Sequence, residues 1–488
     1  MSTATTTQAT PVTPLDLNNI QGDILSGLPK KTQIYYFFEI TDATKFRHDL
    51  RKFIPLVETV AGVLKDRDAI DNHKKNKHPG LIPMTGVNIS FSHKGFVKLG
   101  IDDSTLAPAV DKAFKTGQQI DAVNNLGDPK KSDGSPDWDS HFLQDIHGMF
   151  IISGDCHNSI KKKEHEIEQL FGVQTSQASI KKIVAIRGDV RPGAEAGHEH
   201  FGFLDGVSNP AVIGFDKVIN PGPKPVEPGV LLTGQPGDSF TRAPWATDGS
   251  FIAFRYLFQQ VPEFNEFLKQ NPIAKDGNGN ALTPEEGSEL LGARMVGRWK
   301  SGAPIDLAPF KDDPVLAADQ KRNNDFFFEG EINSQLRCPF ATHVRKTNPR
   351  NDLEVPPPGI APIPIEGRRI MRRGIQFGPE LTKEEKAKGK TEHGRGLLFA
   401  SYQTNITNGF QFLQQSWANT QNFPPFETQP ELPGLDPLIG QGVRSMSGLD
   451  PLAEQKVLSM PTFIVPRGGE YFFAPSLKGL KETIAAAA

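Results

Sequence analysis

The order of regular segments constrains this chain more than any other feature. Residues 32–40 (TQIYYFFEI) are rich in aromatic and β-branched types and read as a strand. Residues 43–68 then place Phe46, Leu50, Phe53, Ile54, Val57 and Val60 on one side of a helix. Strands are expected at 86–91 and 149–153, a helix at 159–171 and a closing strand at 180–187. This β-α-β-β-α-β order is that of a ferredoxin-like unit. A looser version follows, with strand 251–258, helix 261–269, strands 369–376 and 397–402, helix 409–417 and closing strand 461–466. No residue-level repeat accompanies it. The expected fold is α+β, built from two ferredoxin-like halves with antiparallel sheets. The N-terminal half is placed at 19–225 and the C-terminal half at 226–488, after a disordered tail at 1–18.

At 488 residues the chain is long enough for two domains sharing an interior. A formal net charge of −3 provides no global field for nucleic acid or an anionic membrane. No run approaches the roughly 18 apolar residues of a membrane span. Two cysteines, Cys156 and Cys338, are too few for a disulfide framework. One bridge between them stays open, with buried free thiols as the preferred reading. The first sixteen residues are rich in Thr, Ala and Pro and lack the apolar stretch of a secretory signal. Secreted and cytoplasmic locations both stay open, and the glycosylation triplets at Asn88 and Asn405 do not decide between them.

Four ordered segments hold the chemistry. Gly202-Phe203-Leu204-Asp205-Gly206 sets a carboxylate between glycines, which let the main chain approach a flat ligand closely. Downstream come 338–350 (CPFATHVRKTNPR), 368–374 (RRIMRRG) and 396–400 (GLLFA). Together they offer a carboxylate, a histidine, an arginine and an apolar wall. That set, in that order, resembles the dye-decolourising peroxidases, in particular their long fungal branch. The resemblance extends from the segment starting at Asn19 to the strand near Phe463. It implies a haem peroxidase that reduces H₂O₂ and oxidises dyes, phenols and other bulky aromatic donors by one-electron steps. It also implies one haem b per chain, bound in the C-terminal half, in a monomer or weak homodimer.

Site residues follow from matching motifs. His343 is the expected axial iron ligand. Its ring N–H partner is expected to be Asp436 in Gly434-Leu435-Asp436-Pro437-Leu438, although the phrase recurs around Asp450. Asp205 is expected to move the proton during peroxide cleavage. A carboxylate remains a base in acid, so the activity optimum is expected to be acidic. Arg372 would stabilise the charge that develops as the O–O bond breaks, while Arg373 should point to the opposite face of the strand. Leu397 and Phe399 share a strand face and would line the distal pocket. Arg345 is the expected partner of a haem propionate.

The resemblance also assigns long-range electron transfer from bulky donors to Trp417. Relatives often have a tyrosine where this chain has Phe377, which removes one radical route. Asp352 and Glu354 could hold Mn²⁺ with a third oxygen ligand, and an oxygenase side activity is compatible with the same site. Two other readings are a non-catalytic haem carrier and a non-haem iron enzyme. The latter would use His198 and His200 with Asp205, if the histidines alternate on a strand.

Overall fold

The expected order of elements is borne out, and the strands of both halves join in one sheet. The computed structural model describes residues 14–106, 111–426 and 432–486. The first half contributes β1 (Thr32–Ile40), β2 (Thr85–Phe91), β3 (Gly148–Gly154) and β4 (Ile180–Asp189). The second contributes β5 (Ser250–Gln259), the short β6 (Met371–Arg372) and β7 (Ile375–Phe377), and β8 (Gly396–Gln403). A separate ribbon of β9 (Arg444–Met446) and β10 (Leu458–Met460) precedes the last strand, β11 (Ile464–Ala474).

Along the main sheet the order is β4-β1-β3-β2-β11-β5-β8-β6, with β7 also paired to β8. Each half therefore repeats one arrangement, with its closing strand beside its first, then its third, then its second. The halves meet where Phe91 of β2 lies opposite Phe473 of β11. Strands β1–β4 and strands β5–β8 with β11 thus form two topological units of one shared sheet.

Both faces of that sheet are covered. Side chains alternate along a strand, so β1 sends Ile34, Tyr36, Phe38 and Ile40 into one apolar cluster. Tyr35 and Phe37 enter the other. The same division holds in the second half, where Phe251, Ala253, Tyr471 and Phe473 join the first cluster. Ile252, Phe254, Leu398, Ala400, Tyr402 and Phe472 join the second. A third cluster fills the space around the helix Pro284–Val296. Sequence patterning missed that helix, although Thr283 and Glu286 form a capping box at its start.

Several expectations need correction. The helix expected over 43–68 is two helices, Ala43–Phe53 and Val60–Lys75, with a single tight turn at Ile54–Leu56. Pro55 cannot donate the backbone hydrogen bond an uninterrupted helix requires, and Thr59 caps the second helix by accepting from the Gly62 amide. The strand expected at 369–376 is split into β6 and β7. The helix at 409–417 is one regular turn, Phe410–Phe412, followed by a wider turn over Leu413–Ala418. The closing strand lies later than 461–466, because Gly468 and Gly469 obscure its pattern and a bulge interrupts it there.

The disordered tail expected at 1–18 is too long. Residues 1–13 lie outside the described part, but Leu15 and Leu17 pack against the second cluster. Both cysteines are free thiols, Cys156 exposed and Cys338 buried. Asn88 and Asn405 are buried, which closes both glycosylation triplets in the folded chain. Among the described residues no helix is long and apolar enough to cross a membrane.

Phe473 occupies the seam, fully buried, with ring centroids 5.1 Å from Phe251 and 5.8 Å from Trp245. Phe473→Ala is expected to cost about 3–5 kcal/mol, read from the urea unfolding midpoint. An unchanged midpoint would place the cohesion of the halves elsewhere.

Candidate active site

Strand alternation in the second half builds one wall of a cavity that the segment around Asp205 also lines. Arg255 and Leu257 of β5, Leu397 and Phe399 of β8 and Arg372 of β6 all line it. Arg255 lies directly opposite Phe399 in the sheet, and Leu257 opposite Leu397. The next residue after Arg372 turns away as expected. The Arg373 guanidinium donates to the Asp23 carbonyl at 3.0 Å, on the other side of the strand.

His343 enters the same cavity from the first position of the short helix His343–Thr347. Gly297, with φ +98°, lets the end of helix Pro284–Val296 approach closely, since a Cβ there would lie 2.7 Å from Val344 Cβ. His343 Nδ1 is 2.8 Å from Asp436 Oδ2. The ionised carboxylate only accepts, so the ring donates through Nδ1. Asp436 is fully buried, and its Oδ1 accepts from the Leu438 and Ile439 amides at 2.8 and 3.0 Å. Asp450 is occupied with its own turn, accepting from the Leu452 amide. Burial pushes the His343 imidazole down, but the charge and hydrogen bond of Asp436 outweigh it and the net shift is upward.

A second ionic pair lines the cavity. Asp205 Oδ1 accepts from Arg372 Nη1 at 2.5 Å and from the Gly206 amide at 2.6 Å. Burial raises the Asp205 carboxyl, but the charge and hydrogen bond of Arg372 more than offset it, leaving the group below its ordinary 3.8. Asn209 fastens the two segments together. Its Oδ1 accepts from the Arg372 amide at 3.1 Å, and its Nδ2 donates to the Arg372 carbonyl at 3.3 Å. Glu199 ties down the preceding loop by accepting from the Phe201 and Phe203 amides at 2.8 and 2.9 Å.

Asn209, Glu199, Phe410 and four further arginines, Arg255, Arg298, Arg368 and Arg369, also stand at the site and were not expected there. Burial lowers Arg298 and Arg369 to about 10. Arg368 and Arg369 open the RRIMRRG segment, so their signal was present in the sequence. Arg298 stands outside every matched motif.

These residues fit a haem. The donor set pairs one imidazole, anchored at Nδ1, with apolar walls from Leu397, Phe399 and Leu413 for a flat ring. With Nδ1 bonded to Asp436, His343 Nε2 would be the nitrogen to bind iron. The guanidinium groups of Arg298, Arg368 and Arg369 match the carboxylates a haem carries.

Other expected residues lie elsewhere. Arg345 is not on the cavity wall. Fully buried, it grips Asp352 through two bonds of 2.7 and 2.6 Å and donates to the Cys338 carbonyl at 2.7 Å. That corrects its expected propionate role and removes Asp352 from the proposed Mn²⁺ pair. Glu354 is salt-bridged to Lys224 at 2.9 Å. Trp417 lines the cavity but is only 5% exposed, with its ring stacked on Phe423 at 5.1 Å, so it is not a surface aromatic. Phe377 faces the second apolar cluster, away from the cavity.

The non-haem reading also fails on geometry. Residues 198–200 form no strand, and His200 Nε2 is 2.8 Å from the Phe377 carbonyl. Among the described residues no three His, Cys, Asp or Glu side chains are grouped to hold a metal ion.

Comparison with known proteins agrees with this site. Residues 19–192 match the family described as the DyP dimeric alpha+beta barrel domain. A dye-decolorizing peroxidase from Mycena epipterygia is 42% identical over 97% of this chain and 88% of its own length. The solved structure of an ancestral D-type dye-decolorizing peroxidase superposes with a TM-score of 0.91 at 58% identity, covering 97% of this chain and all of the other. A dye-decolorizing peroxidase solved in complex with 2,6-dimethoxyphenol gives 0.85 at 44% identity, with the same coverage. The chain belongs to the dye-decolourising peroxidase family and is a haem peroxidase.

Proposed function

We propose that this enzyme reduces H₂O₂ with Asp205 as the proton carrier and Arg372 as its electrostatic partner, and oxidises phenols, dyes and related aromatic donors. The observation that supports it most is the convergence of the His343–Asp436 and Asp205–Arg372 pairs on one cavity. The solved relative bound to 2,6-dimethoxyphenol supports phenols as donors. One haem b per chain, held chiefly by the unit at 226–488, fits one such cavity. Asp436 keeps the His343 ring oriented and electron-rich, so that Nε2 is a strong axial donor. When bound, the haem supplies iron for peroxide and a store for its oxidising equivalents.

Asp205 takes a proton from one peroxide oxygen and returns it to the other as the O–O bond breaks. Without that proton the leaving oxygen would have to depart as hydroxide, and with it the oxygen departs as water. The Arg372 guanidinium supplies positive charge where negative charge develops, in surroundings with little water to screen it. Asn209 holds the Arg372 main chain against the segment that bears Asp205, so both groups keep their positions together. Leu397 and Phe399 exclude water from the reacting face.

Three outcomes test this reading. Asp205→Asn should slow the reaction with H₂O₂ by roughly 10²–10⁴-fold in stopped-flow spectra, with haem content unchanged. Equal rates would assign the proton transfer to another group.

The pH dependence follows from the downward shift of Asp205. Its carboxylate is the active form and persists until the pH falls below the ordinary 3.8. The acid limb of the rate should therefore lie below that value. Loss of rate already near pH 6.5, where a histidine base would protonate, would contradict it.

Asp436→Asn should weaken haem binding by about 10–100-fold when haem is titrated into the apo-protein. Undiminished affinity would mean that Asp436 does not support the ligand.

A further inference from the structure

Tyr471 lies on β11, fully buried, on the sheet face that leads to the cavity. Its hydroxyl donates to Asp121 Oδ2 at 2.5 Å. The other oxygen of Asp121 accepts from Gln411 Nε2 at 2.6 Å and Asn125 Nδ2 at 2.5 Å, so the carboxylate is fixed in place. Phe410, next to Gln411 in the chain, lines the haem cavity. Its ring centroid is 6.3 Å from Tyr471 and 5.8 Å from Phe399, another cavity residue. An unbroken aromatic path thus runs from the cavity wall to a phenol bonded to a base.

We propose that Tyr471 is an internal one-electron donor to the haem centre, with Asp121 as the acceptor of its proton. The proposal rests on the haem occupying the cavity described above. A buried phenol gives up an electron readily only if its proton leaves at the same time, because the cation radical is a strong acid. In the proposed step the Tyr471 O–H bond breaks, the proton bonds to Asp121 Oδ2, and one electron reduces the centre that peroxide has oxidised. The products are a neutral tyrosyl radical and a neutral carboxyl group. An external aromatic donor reverses the step by returning an electron, and the proton moves back from Asp121.

Burial raises the Asp121 carboxyl, so the interior tolerates its protonated form. Burial and the adjacent Asp121 charge also push the Tyr471 phenol well above its usual range, which keeps the proton on until the electron leaves.

The other four tyrosines lack this combination. Tyr402 donates to Asp23 at 2.8 Å but lies in the second cluster, on the far side of the sheet. Tyr35 lies on that side as well and reaches only the Arg373 carbonyl, at 3.4 Å. Tyr36, on β1 of the first half, lies beside Glu168 and packs by its ring against Phe150 at 6.0 Å, with no ring contact to a cavity residue among the described residues. Tyr256 packs by its ring against Phe377 and Phe258, again away from the cavity.

The test is freeze-quench electron paramagnetic resonance of the haem-loaded protein after one equivalent of H₂O₂, with and without ring-deuterated tyrosine. The expected result is a radical signal that narrows with deuteration, is lost in Tyr471→Phe and survives in Tyr402→Phe. A signal insensitive to tyrosine deuteration, or one that persists in Tyr471→Phe, overturns the proposal. Should Tyr471→Phe fail to fold, Asp121→Asn takes its place, where the tyrosyl signal should be lost and its persistence overturns the proposal. The optical spectrum of each sample separates the two levels of inference. A protein without a Soret band refutes haem binding in the cavity, whereas a normal Soret band without a tyrosyl signal refutes only the role of Tyr471.

Discussion

The two-residue period of β5, β6 and β8 is the constraint on which the site depends. Because side chains alternate across the sheet, Leu397 and Phe399 must share a face, and Leu398 and Ala400 must take the opposite one. The same rule commits Arg372 to the cavity and Arg373 to the interior beyond it. A slip of one residue in the pairing of β6 with β8 would exchange the two arginines, and a slip of β8 against β5 would turn Leu397 to the face where Leu398 belongs. The register is held from both sides, by the apolar second cluster and by Asn209, which bonds both main-chain groups of Arg372.

On that frame the chain places two hydrogen-bonded ionic pairs at one cavity. In each, a partly exposed functional group is held by a partner that restricts its motion. The His343 imidazole is oriented by a fully buried carboxylate whose second oxygen is saturated by backbone amides. The Asp205 carboxylate is held by a guanidinium and by its neighbour's amide. Weak solvation strengthens both pairs, and it also makes either partner costly to leave alone. The buried Arg345–Asp352 and Arg395–Glu385 pairs obey the same rule without reaching the cavity. An arginine in a matched motif is therefore not assigned to the cofactor by its position alone.

Much of the fold was legible because strand composition was unusually clear. The segment TQIYYFFEI is a strand from Thr32 to Ile40, as its residue types require. Boundaries failed where backbone chemistry overrode pattern, as at Pro55 in the first helix and at the glycines inside β11. Of the site, His343, Asp436, Asp205, Arg372, Leu397 and Phe399 were legible from ordered motifs, and the structure gathers them. Arg345 was misread because motif spacing does not report which of two acidic groups a guanidinium meets. The exposure of Trp417 depends on Phe412 and Phe423 folding over it, a tertiary fact with no local signature. Tyr471 and Asp121 are 350 residues apart, and only the join of the two half-sheets brings them together.

The account stands on His343 as the residue that binds iron, with Asp436 behind it. Resonance Raman spectroscopy of the reduced haem protein tests this most directly, through the iron–imidazole stretching band. The account predicts a band raised in frequency by the carboxylate-bonded ring, absent in His343→Ala and restored in that variant by added imidazole. The same band persisting unchanged in His343→Ala would place the iron ligand elsewhere and contradict the account.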